Sequence, residues 1–211
     1  MRKTSIYRQA YVEVSRVPVH LVALLCTILL SMIYPSNLGS YPIRPSNATV
    51  PVAVSLTDKY VRFIPTAIQV AAPLLLRDKI GAVQLLYVAI ANTIATQAAK
   101  RLLNDCEVMG TKLGKRPNGG PFNMPSGHSS MASCAVFFVI RRYGLWLGLP
   151  LAGMLLIILL LTMYARVALN AHTVSAVIAG ALIGLISTLL FTSKRTRQAI
   201  KSGKIRAPAR P

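Results

Sequence analysis

Long uncharged apolar runs separated by short clusters of Lys and Arg recur along this chain between residues 17 and 191. A run of about 18 or more apolar residues crosses roughly 30 Å of hydrocarbon as a helix, and within hydrocarbon a helix satisfies its own backbone hydrogen bonds. The pattern therefore restricts the chain to an all-α, polytopic membrane fold. Composition fits: 54% of the residues are hydrophobic, yet the formal charge is +19, so apolar mass and positive charge must be segregated. That charge does not describe a nucleic-acid binder, because the cations sit at the ends of apolar runs and no basic, aromatic-studded soluble domain accompanies them. No nucleic-acid partner is expected.

The spacing predicts six membrane-spanning helices in a bundle, over residues 17–34, 61–76, 80–99, 126–140, 145–164 and 173–191. Residues 36–59, with Pro42, Pro45 and Pro51, read as a loop or surface-lying segment, and residues 101–125 as a polar loop rich in Gly and Pro. The chain divides into a basic N-terminal segment (1–16), a membrane domain (17–193) and a basic tail (194–211). The N-terminal run lacks a small-residue cleavage site and is read as an uncleaved first helix. Cys26, Cys106 and Cys134 form no CxxC pair and no even set, so a disulfide framework is not expected.

Cations in short loops favour the cytoplasmic side. The N-terminus, the turn Arg77-Asp78-Lys79, Arg141-Arg142 and the tail all fall on one face and are assigned inside. Residues 36–59, 100–125 and 165–172 then lie outside. The loop after the third span breaks the rule, since it carries Lys100, Arg101, Lys112, Lys115 and Arg116 on the disfavoured face. Snorkelling to headgroups explains some of these; anion binding explains their accumulation more economically.

Two of the three histidines, His128 and His172, stand at outer ends of predicted spans beside those cations. His128 follows Pro125-Ser126-Gly127, a turn into the fourth helix whose first N–H groups are free to hold an anion. Gly127 admits close approach and Ser126 adds a hydroxyl. Arg166 leaves the fifth helix, and His172 opens the sixth. Phosphoryl transfer needs fixed positive donors around the equatorial oxygens, an in-line nucleophile and an acid for the leaving oxygen. These loops offer that set. Metal-assisted chemistry draws on clustered carboxylates, but the chain has five acidic residues and none in the fourth to sixth spans. A mechanism without metal or cofactor is preferred.

In order along the chain, Lys100, Arg116-Pro117, Pro125-Ser126-Gly127-His128, and Arg166 followed by His172 resemble the signature of the type 2 phosphatidic acid phosphatase family. The likeness covers residues 95–176. It implies an integral membrane lipid phosphatase in which His172 attacks phosphorus to form a phosphohistidine and His128 protonates the departing oxygen. Lys100, Arg116, Arg166 and the Ser126-Gly127 turn would hold the phosphoryl oxygens, with Lys112 a rival for the lysine role because the loop is longer than usual. The chain departs from the family pattern at Ala165, where a serine is usual, and at Ala176, where an aspartate orients the nucleophile. Asn170, Ser175 or a backbone carbonyl is left to orient His172.

Arg116-Pro117-Asn118-Gly119-Gly120, Phe122-Asn123-Met124 and Arg62-Phe63-Ile64-Pro65 most resemble the bacterial lipid A 1-phosphatases within that family. By that likeness the substrate is a lipid phosphate in the outer leaflet of the bacterial inner membrane, with the site periplasmic and both termini cytoplasmic. Undecaprenyl diphosphate, phosphatidic acid or phosphatidylglycerophosphate hydrolysis, phosphate transfer between lipids, and a non-catalytic lipid-binding role are the alternatives.

Overall fold

The computed structural model describes residues 20–34, 36, 38–41 and 49–195; the basic segment 1–16 and the tail beyond residue 195 lie outside these. The helices are α1 (His20–Ile33), α2 (Val52–Lys59), α3 (Ile64–Leu75), α4 (Lys79–Leu103), α5 (Gly127–Ala168) and α6 (Val174–Phe191). Lys79–Leu103, Leu149–Ala168 and Val174–Phe191 are long and apolar enough to cross a membrane. Large apolar side chains such as Leu86, Ile94 and Leu160 remain exposed on the flanks, the belt expected of an integral membrane protein.

Sequence signals start the helices. Asp78 caps α4 through its Oδ1, which accepts from Gly81 N at 3.0 Å. Ser126 caps α5 and Thr173 caps α6, each side chain accepting from the backbone three residues on. In the stretch read as a loop, Pro51 stands at the N-cap of α2 instead of excluding a helix, and α2 buries Val54 and Thr57 on one face. The span expected to begin at residue 61 enters through a 3₁₀ turn, Val61–Phe63, and becomes α-helical at Ile64 with Pro65 in its first turn. The fold is also not purely α. Glu107–Val108 (β1) pairs antiparallel with Thr111–Lys112 (β2). Met109 and Gly110, both at positive φ, make the turn that such a two-residue hairpin needs.

The expected fourth and fifth spans form one unbroken helical assignment of 42 residues, α5, with Pro150 inside it. A straight helix of that length would be roughly 63 Å long and would hold its two ends apart. Instead residues 127–143 and 149–168 pack on each other through Ala132, Phe138, Tyr143, Leu155 and Leu159. Arg142 at the far end of the first limb bonds Asp78 and Ser193, while Arg166 lies beside His172, which shares a cavity with Gly127 and His128 at the start of the first limb. The axis therefore reverses between Tyr143 and Leu155, and α5 acts as two antiparallel limbs.

Helix α6 is the central element, packing on α5, on α1 and on α4. Gly180 and Gly184 let it approach the first limb at backbone distance: a Cβ at Gly180 would meet the Ser126 carbonyl, and one at Gly184 the Ser130 carbonyl and Cys134 N. Small residues are what allow helices to close together where lipid supplies no hydrophobic drive. Interhelical hydrogen bonds add specificity, with Ser130 Oγ donating to Asn92 Oδ1 at 2.6 Å and Thr188 Oγ1 to the Cys134 carbonyl at 3.2 Å.

On the face away from the histidines, Arg142 grips Asp78 with two bonds of 2.8 and 2.9 Å, Tyr143 donates to the same carboxylate at 3.1 Å, and Arg142 also reaches the Ser193 carbonyl. Burial alone would raise the Asp78 carboxyl, but the Arg142 and Gly81 bonds hold it below the usual carboxylate range. This clasp fastens the α3–α4 turn, the end of the first limb of α5 and the chain after α6 to one another.

Candidate active site

His172 owes its position to the way α5 ends. Asn170 adopts the left-handed conformation at φ 53°, its N–H bonds the Val167 carbonyl at 2.9 Å, and Ala171 N bonds the Arg166 carbonyl at 3.1 Å. This is a Schellman ending with Asn in the position glycine usually takes. The same Arg166 carbonyl also accepts from His172 N at 3.2 Å. The spacing of Arg166 and His172 is thus one closed turn that fixes guanidinium and imidazole as a unit. Asn170 shapes that turn.

The His172 ring is 1% exposed, and its Nδ1 lies 2.7 Å from the Asn123 carbonyl. A carbonyl only accepts, so Nδ1 carries the proton and Nε2 keeps its lone pair for the cavity. Of the three possible orienting groups, the backbone carbonyl is the one in contact. Ser175 is engaged with Ser36 and Thr173 at 2.8 and 3.0 Å. Asn123 is itself anchored: its Oδ1 accepts from Thr173 N at 3.0 Å, and its Nδ2 donates to Thr173 Oγ1 at 3.1 Å and to the Leu113 carbonyl at 3.3 Å. Ala176, at the position where the family pattern has an orienting aspartate, is fully buried in an apolar cluster with Met124 and Ile183.

Burial, then the nearby charge of Arg166, hold the His172 imidazole down to about 3, outweighing the Asn123 carbonyl. The ring is held neutral near neutral pH. A folded-state value below the ordinary 6.5 means the unfolded chain binds the extra proton between those limits, so stability rises with pH there. The melting temperature in detergent is expected to fall as pH drops from about 6 to 4, and to fall less steeply in His172→Gln. Identical slopes in the two proteins would contradict a buried neutral His172.

His128 sits in the first turn of α5, where Gly127 and His128 are the first residues of the helix and their N–H groups precede any intrahelical acceptor. His128, His172, Lys100, Arg116 and Gly127 all line one cavity of about 370 Å³. Lys100 Nζ and Arg116 Nη2 both donate to the Phe122 carbonyl, at 3.2 and 3.5 Å. Phe122 presents that carbonyl from a left-handed φ of 61°. Burial and the neighbouring Arg166 depress Arg116 below the usual guanidinium range, so like charges are held together beside a neutral imidazole. Arg116 Nε and Arg166 Nε are buried without a partner among the described residues. Crowded cations with orphaned donors describe a site shaped for an anion.

The remaining predicted residues are placed differently. Ser126 is fully buried, and its hydroxyl accepts from Ser129 N and Ser129 Oγ at 3.4 and 3.1 Å, so it caps the helix outside the cavity lining. Lys112 lies in β2 and lines a small separate cavity with Lys115 and Tyr34. Two contributors carry no signal in the sequence. Asp58 on α2 pairs with Arg166 Nη1 at 2.7 Å, and Asn118 N bonds the Asn170 carbonyl at 3.0 Å, tying the two loops together. Neither pairing is local, since Asp58 and Arg166 lie 108 residues apart.

A lipid A 1-phosphatase of Helicobacter pylori strain J99 is 45% identical over 172 residues, covering 80% of this chain and 83% of its own. The lipid A 1-phosphatase of Helicobacter pylori strain 26695 is 39% identical over 197 residues, covering 92% of this chain and 98% of its own. Among solved structures, the first transmembrane PAP2 type phosphatidylglycerolphosphate phosphatase from Bacillus subtilis overlaps 95% of this chain and 96% of its own at 15% identity and a TM-score of 0.44. The profile of the PAP2 superfamily matches residues 81–199, a stretch that contains both histidines, Lys100, Arg116 and Arg166. Over more than half its length, then, the sequence carries the family's pattern, and the chain belongs to the PAP2 superfamily.

Proposed function

We propose that this lipid phosphatase removes the 1-phosphate of lipid A through a phosphohistidine on His172. The observation that carries the reading is the convergence of two imidazoles and the Lys100 and Arg116 cations on one cavity, with Arg166 beside them. His172 Nε2 attacks phosphorus as the P–O bond to the sugar breaks, and His128 gives its proton to the departing oxygen. His128, now a base, takes a proton from water, which attacks phosphorus, breaks the P–N bond and releases inorganic phosphate. Lys100, Arg116, Arg166 and the N–H groups of Gly127 and His128 hold the oxygens in flight. The cations gathered around the cavity suit an anion and disfavour a metal ion there. The names of the Helicobacter relatives support lipid A as substrate.

The six spans of this reading are α1, α3 with its 3₁₀ entry, α4, the two limbs of α5, and α6, forming a domain of residues 17–193. The cytoplasmic side carries the Asp78–Arg142 clasp and both basic ends. The histidines face the periplasm of the inner membrane, where they meet lipid from the outer leaflet. Purified protein should release phosphate from lipid A faster than from phosphatidic acid or undecaprenyl diphosphate. Preference for either of the latter overturns the substrate. A reporter fused after Lys112 should be active outside the cytoplasm; a cytoplasmic signal reverses the topology.

A further inference from the structure

The cavity does not stop at the cations. It continues along α4 away from Lys100, lined by Gln97, Thr96, Thr93 and Asn92, with Met131 of α5 opposite. These positions share one face of the helix, and Thr93 lies about 10 Å below Lys100 at 1.5 Å of rise per residue. Asn92 and Thr96 are buried and bonded through Ser130, at 2.6 and 2.8 Å. Gln97 and Thr93 differ: both are exposed, both line the cavity, and neither side chain has a hydrogen-bond partner among the described residues.

Their immediate neighbour Ile94 is exposed hydrocarbon, and α4 as a whole is apolar enough to cross a membrane. Polar side chains open to lipid without a partner are costly, and those that persist inside a span face a polar ligand or cavity. A diacylglycerol phosphate offers only ester acceptors beyond its phosphate and no hydroxyl or amide donor, so it would leave the acceptors of this wall unpaired. An amino sugar stays polar well beyond its phosphate.

We infer that Gln97 and Thr93 form a headgroup subsite that hydrogen-bonds the hydroxyl- and amide-bearing sugar carrying the scissile phosphate. The subsite rests on the glycolipid reading given above and names the residues that would select for it. Discrimination comes from leaving these groups unpaired when the wrong lipid enters, the asymmetry that makes a missing hydrogen bond more damaging than a missing methylene.

The test compares Gln97→Leu, Thr93→Val and the wild type on two substrates in detergent, an N-acyl glucosamine 1-phosphate lipid and dioleoyl phosphatidic acid. Each change exchanges a polar group for an apolar one at an exposed position, and melting temperatures should stay at the wild-type value. KM for the glycolipid should rise about tenfold per lost hydrogen bond with kcat little changed, while kcat/KM for phosphatidic acid stays within about twofold. Equal effects on both lipids, or none on the glycolipid, overturn the subsite and leave the parent reading intact. A wild-type enzyme inactive on the glycolipid but active on phosphatidic acid removes the parent reading and this subsite with it.

Discussion

His172→Ala is expected to lower kcat by about 10⁴-fold or more and to abolish any acid-labile phosphoenzyme, because it removes the proposed nucleophile and leaves only His128, assigned to the leaving group, as an imidazole lining the cavity. His128→Ala should behave differently. An acid contributes about 10²- to 10⁴-fold when the leaving oxygen is basic, and much less when it departs unassisted. That variant should therefore form the phosphoenzyme slowly from a lipid substrate and much faster from p-nitrophenyl phosphate, and should accumulate it from the latter because the base that activates water is gone. Labelled phosphate bound covalently to His172→Ala would reassign the nucleophile, and an equal loss in the rate of phosphoenzyme formation from both substrates in His128→Ala would remove the leaving-group role.

Gly180→Ala should be the most damaging single methyl in the membrane domain. The added carbon falls on the carbonyl of Ser126, and backbone on both sides prevents either helix from yielding a flexible side chain. The contact is already tight, since Ser126 N bonds the Ala176 carbonyl at 2.9 Å. Relief requires α6 and the start of α5 to separate, and His128 moves with that start. Overpacking of this sort costs about 1–3 kcal/mol, and a displacement of about 1 Å at a reacting group costs on the order of 10²-fold in rate. Thermal denaturation in detergent and turnover on lipid should fall together. Gly153, where an added Cβ would meet nothing within 4 Å, provides the control, and Gly153→Ala should leave both unchanged. A Gly180→Ala protein indistinguishable from that control would refute the close contact.

Much of this was legible in the sequence, for reasons that differ by residue. Apolar runs and flanking cations report on solvent, residue by residue, so α4 and α6 stand close to where the spans were expected. His128 and His172 were legible because each is fixed by short-range geometry, a helix cap in one case and a closed turn in the other. What orients His172 was not. The group is the main-chain carbonyl of Asn123, an atom every residue possesses, and only the Asn123 side-chain bonds to Thr173 and Leu113 make that carbonyl special. Asp58 escaped for the opposite reason, being a distinctive residue whose partner is distant along the chain and whose helix follows three prolines. Loop length makes Lys112 a rival to Lys100, with Lys100 preferred as the end of the third span, and the hairpin of β1 and β2 carries Lys112 aside to a separate cavity.

The reversal inside α5 has a consequence for how such a protein tolerates insertions and deletions. Each added residue within a helical limb turns everything beyond it by about 100° and advances it by 1.5 Å. One extra residue between Leu155 and Arg166 would swing the Arg166–His172 turn off its target. The same insertion at the reversal would leave each limb in its own register, since both limbs are anchored elsewhere. Length changes should accumulate at that bend and be purged from the limbs, so the bend is also the place to graft a tag or sensor without disturbing the chemistry at the other end.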